Sequence, residues 1–220
     1  LINPQMVFGQ PDTLWTRTFG GSEYDFGYSV QQTTDGGYII TGQTYSFGNG
    51  SSDVWLIKTD TNGNEEWNQT FGGDSKDAGY SVQQTTDNGY IITGETKSLG
   101  YNVSDVWLIK TDSQGAEEWN KTWSGSDYGY GHSVQETVDG GYIIIGYTRS
   151  YQNGLEAVLL IKTDSNGDDL WMNTYADGIG KSGQQTADGG FIITGDSNSL
   201  MGGGSGVWLI KTDPEGNAGP

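Results

Sequence analysis

Four stretches of the chain repeat one order of apolar runs and polar breaks. Residues 54–67 read VWLIKTDTNGNEEW, and they return at 106–119 (VWLIKTDSQGAEEW), 158–171 (VLLIKTDSNGDDLW) and 207–216 (VWLIKTDPEG). Val, Trp, Leu and Ile in succession fit a strand covered on both faces. Asp-x-x-Gly then fits a type I turn, with Asp accepting from the turn backbone and Gly taking the positive φ. The fourth copy places Pro214 second in the turn, where type I turns favour proline. Each copy is therefore expected to form a β-hairpin. Counting outward from Asp60 opposite Asn64 puts Lys58 across from Glu66 and Ile57 across from Trp67. Trp55 and Trp67 should then share a face within one hairpin.

The spacing extends the pattern. Trp15, Trp67, Trp119 and Trp171 are 52 residues apart, and Asp35, Asp87, Asp139 and Asp188 open DGGY-like turns 52, 52 and 49 residues apart. One unit holds four strand-like runs: 28–33 (YSVQQT), 38–44 (YIITGQT), 54–59 and 65–71. Four short antiparallel strands at such a period are the mark of a β-propeller blade. Residues 14–21 (LWTRTFGG) match only the last strand of a unit, and the final copy stops before that strand is due. The expected fold is all-β, a four-bladed β-propeller over residues 13–220. Its ring should close by pairing residues 14–19 beside 207–212, which removes an open sheet edge. Residues 1–12 precede it as an N-terminal arm bearing Leu1, Ile2, Val7 and Phe8.

Composition narrows the function classes. The 37 glycines recur at fixed places, so they mark turns and not a disordered tract. No cysteine is present, which removes disulfides, thiolate catalysis and zinc–sulfur sites. The formal charge of −18 is the wrong sign for a nucleic-acid partner. No apolar run reaches the ~20 residues needed to span a bilayer as a helix. The chain opens on Leu and shows no signal peptide, which fits a processed form.

These residues also carry a resemblance. DGGYIITG, DVWLIKTD-x-x-GN-x-x-W and FGGS, over residues 13–216, resemble the propeller-type repeats abundant in secreted and surface-attached proteins of archaea and bacteria. The resemblance implies an extracellular place and a scaffold, adhesion or binding role, with no single chemistry. A ring of four blades is similar in architecture alone to the hemopexin-like arrangement, whose axial channel can hold ions.

Candidate sites follow from where the repeat varies. The second-to-third connections (45–52, 97–104, 149–156, 197–206) and the links between units differ from copy to copy, and variable loops on a constant scaffold suit binding. Tyr24, Phe26, Tyr45, Phe47, Tyr101, Tyr128, Tyr130 and Tyr151 lie there, and exposed rings suit glycan or protein surfaces. The competing reading is that these rings seal the core. Gln32, Gln84, Glu136 and Gln185, with His132, are candidates to line an axial channel, unless the amides serve neighbouring backbone. A lone His has no partner for metal binding or nucleophilic catalysis. Asp60, Asn62 and Asn64 imitate part of a calcium loop, yet a turn explains all four copies. The residues call for no cofactor, with an axial or surface calcium ion left open. Lys58, Lys110, Lys162 and Lys211 recur in every copy, and the hairpin aspartates of the same face are partners that would serve all four. Asn68 and Asn120 are candidate glycosylation positions on the outermost strand. The leading expectation is a non-enzymatic extracellular module. A self-assembling subunit using the arm or first strand is the alternative, and a glycan-active enzyme stands third, since no catalytic constellation stands out.

Overall fold

The computed structural model describes residues 14–99, 103–123, 128–149, 155–175, 178–200 and 204–219. The arm, Tyr101 and Tyr151 fall outside these residues. The described chain is all-β, with no helix, in four antiparallel sheets that each follow chain order. Sheet 1 holds β1 (Asp25–Gln32), β2 (Tyr38–Thr44), β3 (Asp53–Thr59) and β4 (Glu65–Phe71). Sheet 2 holds β5 (Asp77–Gln84), β6 (Tyr90–Thr96), β7 (Asp105–Thr111) and β8 (Glu117–Trp123). Sheet 3 holds β9 (Tyr128–Glu136), β10 (Tyr142–Arg149), β11 (Glu156–Thr163) and β12 (Asp169–Tyr175). Sheet 4 has three strands: β13 (Gly178–Gln185), β14 (Phe191–Leu200) and β15 (Gly204–Thr212).

Alternation along the middle strands sends side chains to both faces, and each face packs on the next sheet. Ile39, Val54 and Leu56 of sheet 1 meet Val82, Tyr90, Ile92 and Trp107 of sheet 2. The same joint recurs between sheets 2 and 3 and between sheets 3 and 4. The core is thus three joints between sheets. Polar staples reinforce each one. The side-chain oxygen of Gln31 accepts from the Gln84 backbone N–H at 2.6 Å, and that of Gln84 accepts from Thr34 N–H at 2.8 Å. Gln83 with Glu136, and Gln135 with Gln185, repeat the exchange.

The hairpin register differs by one residue from the simple count. Asp60 does pair with Asn64, through N–H to O at 2.9 Å, and Gly63 takes φ 74°. A bulge then intervenes between Lys58 and Thr59, so Lys58 lies opposite Trp67 and Ile57 opposite Asn68. The extra residue, Glu66, swings to Lys58 at 2.8 Å. Trp67 therefore turns away from Trp55 and toward the next sheet, where it shares a cluster with Trp107. The two-tryptophan clusters form across joints and not within a hairpin.

Each outer-strand tryptophan rests on the following sheet at one spot. Trp67, Trp119 and Trp171 meet Tyr90, Tyr142 and Phe191 at ring-centroid distances of 5.8 Å. Trp15 meets Tyr38 in the same way at 5.7 Å, and a Cβ on Gly63 would come within 2.5 Å of its ring. Residues 14–19 are thus seated on sheet 1 where a preceding sheet's outer strand would lie. They are not assigned as a strand and do not pair with β15, so the expected closure is not made.

Candidate functional site

The inner strand of every sheet carries one extra residue at the same height. The register slips at Tyr28, Tyr80, His132 and Lys181, each between a Gly and a Ser. Such bulges bend a strand and re-aim one side chain. The facing glycines allow it: a Cβ on Gly42, Gly94 or Gly146 would lie 1.8 Å from the carbonyl oxygen of Phe26, Ala78 or Tyr130. The frame is constant and its extra residue is not.

The residue after each facing glycine also varies: Gln43, Glu95, Tyr147 and Asp196. Tyr28 donates to Gln43 Oε1 at 3.3 Å, and Gln43 donates to Ser52 Oγ at 2.6 Å. In sheet 2 the buried Glu95 accepts from Tyr80 at 2.5 Å, Lys76 at 2.6 Å and Ser104 at 2.5 Å. Burial opposes that charge, but Lys76, Ser104 and Tyr80 hold the Glu95 carboxyl below its usual range. Burial, with Glu95 beside it, pushes the Tyr80 phenol up. Burial and the Lys181 charge push His132 down to about 4, so its imidazole is neutral at pH 7. Its Nε2 is buried without a hydrogen-bond partner.

The bulged residues join a run of rings across three sheets. Tyr24 stacks on Phe26 at 6.5 Å and Phe26 on Tyr28 at 6.3 Å. Tyr28 meets Tyr80 at 5.3 Å, Tyr80 meets His132 at 5.6 Å and His132 meets Tyr147 at 5.5 Å. Tyr130 completes the ladder on Tyr147 at 4.8 Å. Tyr24 is 77% exposed and Tyr28 47%, so the sheet 1 end of the ladder meets solvent. At neutral pH the ladder offers flat faces, phenol donors and one Lys–Glu pair.

The loop aromatics divide. Tyr24, Phe26 and Tyr130 belong to the ladder, and Tyr45 touches its edge through Phe26 at 6.3 Å. Phe47 leans on Trp55 at 5.3 Å, away from the ladder, and Tyr128 is half-buried. Tyr28, Tyr80 and Tyr147 were not among the ring candidates. Their signal was the recurring G-Y-S, G-Y-S, G-H-S, G-K-S, a variable residue in a fixed frame.

An open cavity of about 300 Å³ runs between the inner strands, lined by Gln31, Gln83, Gln135 and Gln184 with neighbouring valines. The structure thus brings the first glutamine of each pair to this cavity. Gln84, Glu136 and Gln185 are occupied in the staples, and Gln32 donates to Gly36 O at 3.2 Å. His132 sits in the ladder. Asn68 and Asn120 accept from the indoles of Trp55 and Trp107. Among the described residues no group of three or more His, Asp or Glu gathers as a metal site, and no helix is long and apolar enough to cross a membrane. Asp53 and Asp105 are buried with unpartnered oxygens, and burial pushes both carboxyls up toward the neutral form.

No family model and no curated protein matches the chain. Among solved structures it is similar to a protein of unknown function from Bacteroides caccae, with a TM-score of 0.39 and 10% identity. The match covers 90% of this chain and 81% of that one.

Proposed function

We propose that the four sheets are blades of a β-propeller and that the chain is a non-enzymatic binding module of the extracellular space or cell surface. The observation that carries this reading is the ring ladder, assembled from variable residues held in an invariant frame. Aromatic faces with phenol donors match the alternating C–H and hydroxyl surface of a glycan, and they also suit a partner protein's polar rim. The protonation states support binding over acid–base chemistry. The imidazole is neutral, burial keeps the Tyr80 phenol protonated, and the buried Glu95 carboxylate of the ladder is tied to Lys76. None of these groups is poised near pH 7.

A glycan-array screen of the full chain, followed by titration of each hit, tests the reading. Tyr28→Ala should weaken the hit at least about tenfold, the loss of one stacking contact of ~1.4 kcal/mol. Leu170→Ala, on the outer strand of sheet 3, should leave affinity unchanged. A hit insensitive to Tyr28 places binding elsewhere and sinks the ladder assignment.

A further inference from the structure

Three joints are built alike, and the two ends of the array carry the halves of a fourth. At each joint one sheet presents a Val and a Leu of its third strand: Val54 and Leu56, Val106 and Leu108, Val158 and Leu160. None is more than 1% exposed. The matching residues of sheet 4, Val207 and Leu209, are 84% and 72% exposed. On the receiving side Val82 and Val134 are 6% exposed, whereas Val30 of sheet 1 is 64% exposed. A cleft of about 540 Å³ opens there, lined by Val30, Tyr38, Ile40, Trp15, Arg17 and Phe19.

The repeat specifies what fills that cleft. Ile39, Val54 and Leu56 fill the equivalent place on sheet 2, and their counterparts are Ile192, Val207 and Leu209. The strand edges agree. Among the described residues no strand pairs with the outer edge of β15 beyond the single Thr212–Ala218 bridge, and residues 14–19 already occupy an outer strand's seat on sheet 1. Copying the β3–β4 register, in which Leu56 faces Gln69 and Lys58 faces Trp67, sets Leu209 opposite Arg17 and Lys211 opposite Trp15.

We infer that the two ends join between chains: sheet 4 of one copy docks on sheet 1 of a second, whose residues 14–19 become the fourth strand beside β15. A second copy fits better than the same chain for a geometric reason. The inner strands of all four sheets face one axial cavity, so the sheets radiate from a common axis. Within one chain the three joints leave Val207 and Leu209 of sheet 4 and Val30 of sheet 1 bare, so the single chain does not close on itself. The same joint made twice more, head to tail, continues round that axis and closes two copies into an eight-sheet ring, within the usual size range of propellers. This rests on the propeller reading, but not on any ligand at the ladder.

Sedimentation velocity on the full chain should give twice the 23.7 kDa of one chain. Leu209→Asp should halve that mass with an unchanged far-UV spectrum, since Leu209 is exposed in the single chain. Val138→Asp, on a turn that is 93% exposed, should keep the double mass. The chain has no cysteine, so Arg17→Cys and Leu209→Cys can be made on separate chains and mixed. Directly opposed strand residues lie within disulfide reach, so the mixture should oxidise to a two-chain band. A full chain that sediments singly, with Leu209→Asp lowering its melting temperature, would place closure inside one chain and overturn the inference. Mass that grows without limit as concentration rises would mean an open fibre and overturn it too.

Discussion

Four lysines show how one residue can tie a hairpin to a turn. Lys58, Lys110 and Lys162 are almost wholly buried and Lys211 less so, yet each reaches the hairpin aspartate of its own sheet at 2.8–3.0 Å. Lys58 and Lys110 have a second carboxylate, Glu66 or Glu118, at the bulge position that Leu170 holds in sheet 3. Removing the aspartate should therefore matter most in sheet 3. Asp139→Asn should cost about 2 kcal/mol, less than a fully buried pair because Asp139 is half exposed. Asp35→Asn should cost under about 1 kcal/mol, because Glu66 still answers the buried charge. Urea unfolding of the two variants measures the difference. The same aspartates set the acid limit. Lys58, Thr33 and Gly37 hold Asp35 at about 2, and Lys110, Thr85 and Gly89 bring Asp87 to about 2 against the effect of burial. A depressed carboxyl stabilises above its unfolded value of 3.8 and loses that contribution as pH falls through the folded value. The melting temperature should thus fall between about pH 4 and pH 2, and Asp35→Asn should flatten the fall. The aspartate–lysine partnership was legible in the sequence because both residues recur in all four copies.

At the scale of the element, the glycine-faced bulge is the device on which each sheet depends. A Cβ at Gly94 would lie 1.8 Å from the Ala78 carbonyl oxygen and 2.9 Å from the Gly79 Cα. Both are backbone atoms and cannot swing aside. Gly94→Ala should cost about 2–3 kcal/mol in denaturant unfolding, at the upper end for overpacking. Gly140→Asn is the informative contrast. Gly140 has φ 81° with open space around it, and the same turn place in sheet 2 is held by Asn88 at φ 68°. That substitution should stay within about 0.5 kcal/mol. Strand order within each sheet, turn type and the limits of the second to fourth strands could be read from periodicity and turn residues, whereas the first strand starts at Asp25 and not at Tyr28. The bulges could not, because a bulge changes pairing without changing the residues that pair. One extra residue at Glu66 turned Trp67 to the opposite face, and the cavity is lined by Gln31 where Gln32 was expected. The ladder was missed for the same cause, since its members become neighbours only once bulges aim them.

For the whole molecule, charge and apolar surface oppose each other. The chain carries −18, while two end faces expose Val30, Val207 and Leu209 to water. Bringing two such chains together at low salt works against their mutual repulsion, and screening to ~8 Å at physiological ionic strength relieves it. The double-mass species should gain at least about threefold in association constant between about 10 and 150 mM NaCl, as read by light scattering. Association that weakens with salt would point to ion pairs across the joint in place of apolar contact. The fixed frame around Tyr28, Tyr80, His132 and Lys181 has a longer reach. Backbone contacts and staples hold those four places, so the residue seated there is free to drift after each duplication of the unit. Selection can then trial four different letters at one height of the rim while the folding instructions are inherited unedited. In such a lineage a new partner would arise by respelling those letters, and relatives of equal stability should differ there first.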